Sequence, residues 1–132
     1  MDKKIIFLDI DGTFVTDDGW VPSSAADACR QARLNGHEIY LCTGRSKPEI
    51  YDFIMEIGFD GIIGAGGGFV ELNDGMLYHK TVPASEVRRM VDFFDQHGVD
   101  FYLESNGGLF ASKNFLPHVE RCIYGDIAND PD

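Results

Sequence analysis

The chain has 132 residues, enough for one modest domain with its own core, and 22 acidic against 11 basic residues leave a net charge of −11. That charge, with no Lys/Arg cluster to offset it, argues against nucleic acid as a partner and disfavours an anionic membrane surface. No apolar run is long enough to span a bilayer, Ile5 to Leu8 is too short for a signal peptide, and the three scattered cysteines (Cys29, Cys42, Cys122) form no CxxC pair or zinc spacing, so they read as reduced thiols in a cytoplasmic protein.

Lys3-Lys4 precede Ile5-Ile6-Phe7-Leu8, an apolar run bounded by charge that predicts a strand buried on both faces of a parallel sheet. Asp9 marks its carboxyl end, where open α/β sheets bind ligands. Asp9 and Asp11, two apart on an extended segment, point to one side, where like charges repel unless a cation or a shared proton relieves them. Asp11-Gly12 could instead turn a hairpin. A calcium-binding loop is rejected, because the positions that need Gly and Glu, counted from Asp9, hold Phe14 and Trp20.

Phe14 to Val21 predicts a small hairpin turning at Asp17 to Gly19, placed to act as a flap beside the aspartates. Pro22-Ser23 opens a helix with Ser23 available as N-cap; Ala25, Ala28, Cys29 and Ala32 give it a narrow packing stripe, and Gly36 stops it. Ile39 to Cys42 is a second buried strand, ending at Thr43-Gly44-Arg45. Ser46 to Glu49 has a capping-box pattern with a proline in the first turn, and Ile50, Phe53, Ile54 and Ile57 carry a helical face on to Gly58. Gly61 to Gly64 is a third strand, so the order strand, helix, strand, helix, strand predicts an α/β fold on a Rossmann-like parallel sheet.

Gly64 to Gly68 fails as a dinucleotide fingerprint, since its sixth position is Phe69 and no helix follows; it reads as a pliable crossover between two structural units. Phe69 to Leu72 and Met76 to His79 flank Asn73-Asp74-Gly75, a hairpin signature. Val87, Met90, Val91 and Phe94 mark a further helix stopped at Gly98. Val99 to Glu104 and Leu109 to Ala111 read as strands joined through Asn106-Gly107-Gly108. The tail from Asn114 is weakly patterned, and its last residues have the polar composition of a disordered segment. The expected division is a core portion at 1–75 and an α+β unit at 76–132.

Adjacent parallel strands bring Asp9 and Asp11 close to Thr43-Gly44-Arg45. Such a set suits phosphoryl transfer: an aspartate to attack phosphorus, a second carboxyl to move protons, and a hydroxyl with backbone N–H groups to hold the equatorial oxygens. Here the sequence resembles the haloacid dehalogenase-like (HAD) superfamily, and within it the Cof-type phosphatases. Asp9-Ile10-Asp11-Gly12-Thr13 matches the first motif of that family, DxDGT, and Thr43-Gly44-Arg45 matches the second. The resemblance implies that Asp9 is the nucleophile and a Mg²⁺ ligand. By the same resemblance Asp11 is the general acid/base and lends its backbone carbonyl to the metal. Thr43 would bind the transferring phosphoryl group, with the N–H groups of Ile10 and Gly44 assisting. Asp11 is also what separates the phosphatases of the superfamily from its dehalogenases. Arg45 fits a helix-start salt bridge or a phosphate contact equally.

The family pattern also has a third motif, a lysine, and a fourth, an acidic GDxxND-like loop, both normally after an inserted cap. Lys80 and Lys113 fall in expected cap segments and match neither place. Gly125-Asp126-Ile127-Ala128-Asn129-Asp130 has the spacing of the fourth motif but reads as a decoy, because only Cys122 to Tyr124 precede it and Pro131-Asp132 follow it. The expectation is therefore an incomplete HAD core with a cap fragment, the N-terminal part of a Mg²⁺-dependent phosphomonoester hydrolase for a small phosphorylated metabolite, a sugar phosphate or nucleotide. A phosphomutase of the same superfamily and a non-catalytic binding module with this fold are the alternatives. The first strand is expected to lack a neighbour on one side, which favours a homo-oligomer through that uncovered edge.

Overall fold

Charged Lys3 and Lys4 lead into β1 (Ile5–Leu8), which pairs in parallel with β2 (Glu38–Cys42), Ile5 opposite Glu38 and Leu8 opposite Leu41. The computed structural model describes residues 2–124. β3 (Gly61–Gly64) extends the parallel set, with Tyr40 opposite Gly61; β4 (Phe69–Leu72) and β5 (Gly75–His79) then add antiparallel, giving a five-stranded sheet in the order β1-β2-β3-β4-β5. The fold class is thus α/β with a parallel-rich sheet.

The first crossover is α1 (Ser23–Leu34). Its first turn is closed by the Pro22 carbonyl, which accepts from Ala25 and Ala26 N–H at 3.0 and 3.1 Å. Ser23 is the first helical residue and makes no capping bond, contrary to expectation, because Pro22 already occupies the N-cap position. The second crossover departs further from its periodicity. A 3-10 turn at Lys47–Glu49 and a four-residue α2 (Asp52–Met55) replace the continuous helix, with Ile50 and Tyr51 extended between them. In an unbroken helix the Glu49 carbonyl would accept from Phe53 N–H. Here it accepts from Arg45 Nη1 at 2.8 Å instead. The Ser46–Glu49 relation itself holds: Ser46 N–H and Oγ both donate to Glu49 Oε2, at 2.8 and 2.7 Å.

The glycine-rich stretch is not a passage between units. Ala65–Gly67 forms a 3-10 turn that joins β3 to β4 within one sheet. Its φ values of 51° at Ala65, 59° at Gly66 and 94° at Gly67 suit glycine and explain the run. Gly64 answers a different demand: a Cβ there would lie 2.2 Å from the Phe69 ring, which is fully buried. The chain divides into compact units at Met1–Thr81 and Val82–Asp132; β5 spans the division expected between residues 75 and 76.

In the first unit the core is one-sided. Ala26, Cys29, Ile54 and Ile57 from the crossovers pack with Ile39, Leu41 and Ile62 of the strands, and with Ile6 and Leu8 at its margin. Alternate residues of β1 face away, and Ile5 and Phe7 are 57% and 61% exposed. The expectation of a β1 buried on both faces is therefore not met. Among the described residues β1 pairs with β2 alone, and no helix covers its other face. The Phe14–Val21 segment forms no strands; Thr16 and Trp20 close it as a loop through Thr16 N–H to the Trp20 carbonyl at 2.9 Å.

The second unit contains α3 (Ala84–His97), the hairpin of β6 (Tyr102–Ser105) and β7 (Gly108–Ala111), and α4 (Phe115–Tyr124). The last helix falls in the stretch that looked unpatterned. Pro117 sits in its first turn, where a missing N–H costs nothing, and His118 N–H closes that turn on the Asn114 carbonyl at 3.1 Å. Among the described residues no helix is long and apolar enough to cross a membrane.

Asp60 ties the first unit together. Arg33 Nε and Nη2 reach its two oxygens at 3.2 and 3.0 Å, and Ile39 N–H donates to Oδ2 at 2.8 Å. Burial pushes its pKa up, but the Arg33 guanidinium and the Ile39 N–H outweigh this and hold it below the ordinary carboxylate value. A lowered pKa contributes stability above the unfolded value, near about 3.9, that is lost as pH falls through the folded one. Asp60→Asn should therefore cost about 1–2 kcal/mol in urea unfolding at pH 7, with the difference from wild type shrinking below roughly pH 4. The unpaired edge of β1 and the exposed Ile5/Phe7 face beside it lead to a second expectation: light scattering on the concentrated 132-residue chain should give a mass above the 14.7 kDa monomer, and Phe7→Lys should lower it. A monodisperse wild-type monomer would contradict that expectation.

Candidate active site

β1 ends at Leu8, and the chain turns at once. The Ile10 carbonyl accepts from Phe14 N–H at 3.0 Å and Val15 N–H at 2.8 Å, with the Ile10, Phe14 and Val15 side chains buried in the core. This anchors the turn through its apolar residues and leaves Asp9 and Asp11 exposed. The Asp9 carboxylate has no hydrogen-bond or ion-pair partner among the described residues.

Asp11 is placed differently. Arg45 Nε donates to its Oδ2 at 2.9 Å and Arg45 Nη2 to its Oδ1 at 2.7 Å, a two-pronged ion pair. It joins the turn after β1 to the loop after β2, so the two motif segments are adjacent in space. The Arg45 hydrogen bonds hold the Asp11 carboxyl below its ordinary pKa, against an opposing effect of burial, and the same pairing raises that of Arg45. Asp11 is thus an ionised carboxylate with both oxygens occupied. Proton donation from it requires the pair to open.

Thr43 follows the last residue of β2 and is buried. Its N–H bonds the Ile63 carbonyl at 2.9 Å, and its carbonyl accepts from Gly66 N–H at 3.1 Å. Its Oγ1 accepts from Arg45 N–H at 3.1 Å, which leaves the hydroxyl hydrogen to donate elsewhere. Ala65 N–H bonds the Arg45 carbonyl at 2.8 Å, so the strained turn after β3 braces the loop after β2. Gly44 is exposed, and a Cβ there would meet nothing within 4 Å, so space is open beside its backbone.

Of the residues expected at the site, Asp11 and the Thr43–Arg45 loop are joined directly, and Asp9 and Ile10 lie in the same turn. The sequence reading left Arg45 between two roles and missed its supports. Glu49 supplies a carbonyl to Nη1, and the Tyr51 ring lies 5.3 Å from the guanidinium carbon. Only the nearness of Glu49 to the TGR triplet hinted at this; an aromatic six residues on gave no signal. A cavity of about 250 Å³ lined by Lys47, Phe59 and Glu71, among others, includes none of Asp9, Asp11 and Thr43. Among the described residues no group of three or more His, Cys, Asp or Glu is placed to hold a metal. The Asp9 carboxylate with the Asp11 backbone carbonyl nevertheless suits part of a Mg²⁺ shell, because that ion is held by one or two carboxylates with the remainder water and other oxygens. An unpaired, exposed Asp9 is the donor such an ion needs. The segment Gly125 to Asp130 lies outside the described residues.

The chain matches the haloacid dehalogenase-like hydrolase family over residues 6–129 and belongs to it. It is 31% identical over 132 residues to YkrA of Bacillus subtilis (strain 168), which carries a phosphatase name; the match takes in 98% of this chain and 50% of YkrA. With the phosphoglycolate phosphatase of Thermoplasma acidophilum it shares 26% over 130 residues, covering 98% of this chain and 52% of that one. Among solved structures, a protein from Geobacillus kaustophilus HTA426 superposes with a TM-score of 0.82 at 24% identity, over 93% of this chain and 48% of the other. A HAD subclass IIB sugar phosphatase does so at 0.68 with 26% identity, over 95% and 48%. The chain thus spans about half the length of the curated relatives it matches.

Because Asp9 has no partner among the described residues, Asp9→Asn should leave stability within about 0.5 kcal/mol of wild type in urea unfolding. A larger loss would show that Asp9 holds the turn.

Proposed function

We propose that this chain is the N-terminal part of a cytoplasmic phosphomonoester hydrolase that works through an aspartyl-phosphate on a small phosphorylated metabolite. One observation carries the reading: an exposed, unpaired Asp9 at the carboxyl end of a parallel strand, beside Asp11 and the Thr43 loop, in a member of the HAD-like hydrolase family. A phosphoglycolate phosphatase and a sugar phosphatase among the similar proteins support a small substrate, a sugar phosphate or a compound of that size.

In this mechanism an Asp9 carboxylate oxygen attacks phosphorus, and the bond to the leaving alkoxide breaks. Asp11, protonated once free of Arg45, gives its proton to that oxygen. Asp11 then takes a proton from the water that cleaves the aspartyl-phosphate, restoring Asp9 and releasing phosphate. Thr43 Oγ1 and the N–H groups of Ile10 and Gly44 hold the equatorial oxygens. Mg²⁺, held by Asp9 and the Asp11 carbonyl, would offset the negative charge gathered there. Residues 82–132 are the start of a cap in this reading, and the lysine and acidic loop of the family are supplied by further chain that would also cover β1.

The experiment is phosphate release from p-nitrophenyl phosphate with Mg²⁺. The longer product of the same gene should turn over at about 1–1000 per second, and its Asp9→Asn variant should not. The 132-residue chain should fall well below that range. Undiminished release by Asp9→Asn would refute the nucleophile assignment. A longer protein that releases no phosphate would point to the binding-module alternative.

A further inference from the structure

Arg45 is held independently of Asp11. Its Nη1 donates to the Glu49 carbonyl at 2.8 Å, its Cζ lies 5.3 Å from the centre of the Tyr51 ring, and its own N–H is bound to Thr43 Oγ1 at 3.1 Å. These contacts fix the guanidinium so that its Nε/Nη2 edge faces the aspartate turn. Asp11 occupies that edge with both oxygens, although the Asp11 side chain is 60% exposed while that of Arg45 is only 20% exposed. The fixed partner is therefore the arginine, and the carboxylate is the one free to leave.

The Nε/Nη2 edge is a planar pair of donors that binds phosphate as it binds carboxylate, through two parallel hydrogen bonds. One edge cannot serve both anions. We propose that Arg45 is an anion clasp with Asp11 as its resident occupant: a phosphoryl group entering the site takes the Nε/Nη2 edge and releases the Asp11 carboxylate. The proposal deepens the phosphatase reading and rests on it for the choice of a phosphoryl group. It also gives that reading a missing step. A carboxylate with both oxygens tied to a guanidinium cannot serve a leaving group, and the substrate itself would free it. In the resting chain the pair spares a crowded acidic turn one unpaired charge and keeps the anion site filled.

The test is binding of inorganic phosphate to the 132-residue chain in EDTA, followed by NMR titration of backbone amides and the Arg45 Nε–H signal. Turnover does not enter, so an inactive longer protein would defeat the phosphatase reading without touching this result. Asp11→Asn should bind phosphate at least about ten-fold more tightly than wild type, since a charge-assisted pair of bonds becomes available to the ligand. The gain should vanish in Asp11→Asn/Arg45→Gln. In Asp11→Asn/Arg45→Lys, which keeps the charge but not the fork, only part of it should remain. Phosphate should also shift the Arg45 Nε–H signal in Asp11→Asn. An equal gain in both double variants would mean that Asp11→Asn acts only by removing a negative charge, and the clasp would be refuted. No gain in a folded Asp11→Asn would refute it as well.

Discussion

Parallel pairing of β1 with β2 is the constraint from which the rest follows. With Leu8 opposite Leu41, the two strands end within one residue of each other, and whatever follows each is delivered to the same end of the sheet. The turn after β1 is held down by buried Ile10, Phe14 and Val15, and the loop after β2 by buried Thr43 and Ser46. Apolar and small residues thus fix the backbone, while the charged ones between them are left exposed to do chemistry. The Arg45–Asp11 pair crosses the gap that this register creates, and a slip of β1 by one residue would turn Leu8 away from the core while Leu41 stayed in it.

The same topology explains the uncovered face. In the order β1-β2-β3 the chain moves steadily in one direction, and right-handed crossovers then place α1 and α2 on one side of the sheet. The other side keeps Ile5 and Phe7 in solvent, with Tyr40 beside Phe7 at 5.8 Å between ring centres. A βα unit laid beyond β1 would run the opposite way across the sheet, so the same handedness would carry its helix over the bare face. Both the free edge and the bare face are therefore answered by one addition, in a chain that spans about half the length of its relatives.

Much of this was legible in the sequence because it rests on local signals. The runs Ile5 to Leu8 and Ile39 to Cys42, the turn Asn73-Asp74-Gly75 and the stop at Gly98 each declare themselves within a few residues. What escaped depends on contacts made at a distance. Periodicity carried the second crossover as one helix, whereas the chain breaks it at Ile50 and Tyr51, where Arg45 takes the Glu49 carbonyl. The glycine run looked like a hinge because composition cannot tell a pliable link from a fixed left-handed turn bonded to Thr43 and Arg45. Pro117 hid α4, although proline in a first turn is well tolerated. At the site, the pairing of two motif segments could be anticipated from strand order, whereas the identity of the partner inside that pairing could not.

Asp9 and Asp11 are the same residue type two positions apart, yet the fold makes them chemically unlike. Two carboxylates so close together raise each other's cost of ionisation unless something positive intervenes. The chain places its own cation against Asp11 and, among the described residues, none against Asp9. The charge of Asp11 is therefore answered within the fold, and that of Asp9 is left for whatever binds. An Asp11 paired with Arg45 leaves Asp9, among the described residues, as an unopposed charge at the strand end, open to a cation or an electrophile from solution. Had the arginine paired with Asp9 instead, the exposed carboxylate would sit one step along the turn, away from the strand end, and the group best placed to attack would be the one already occupied.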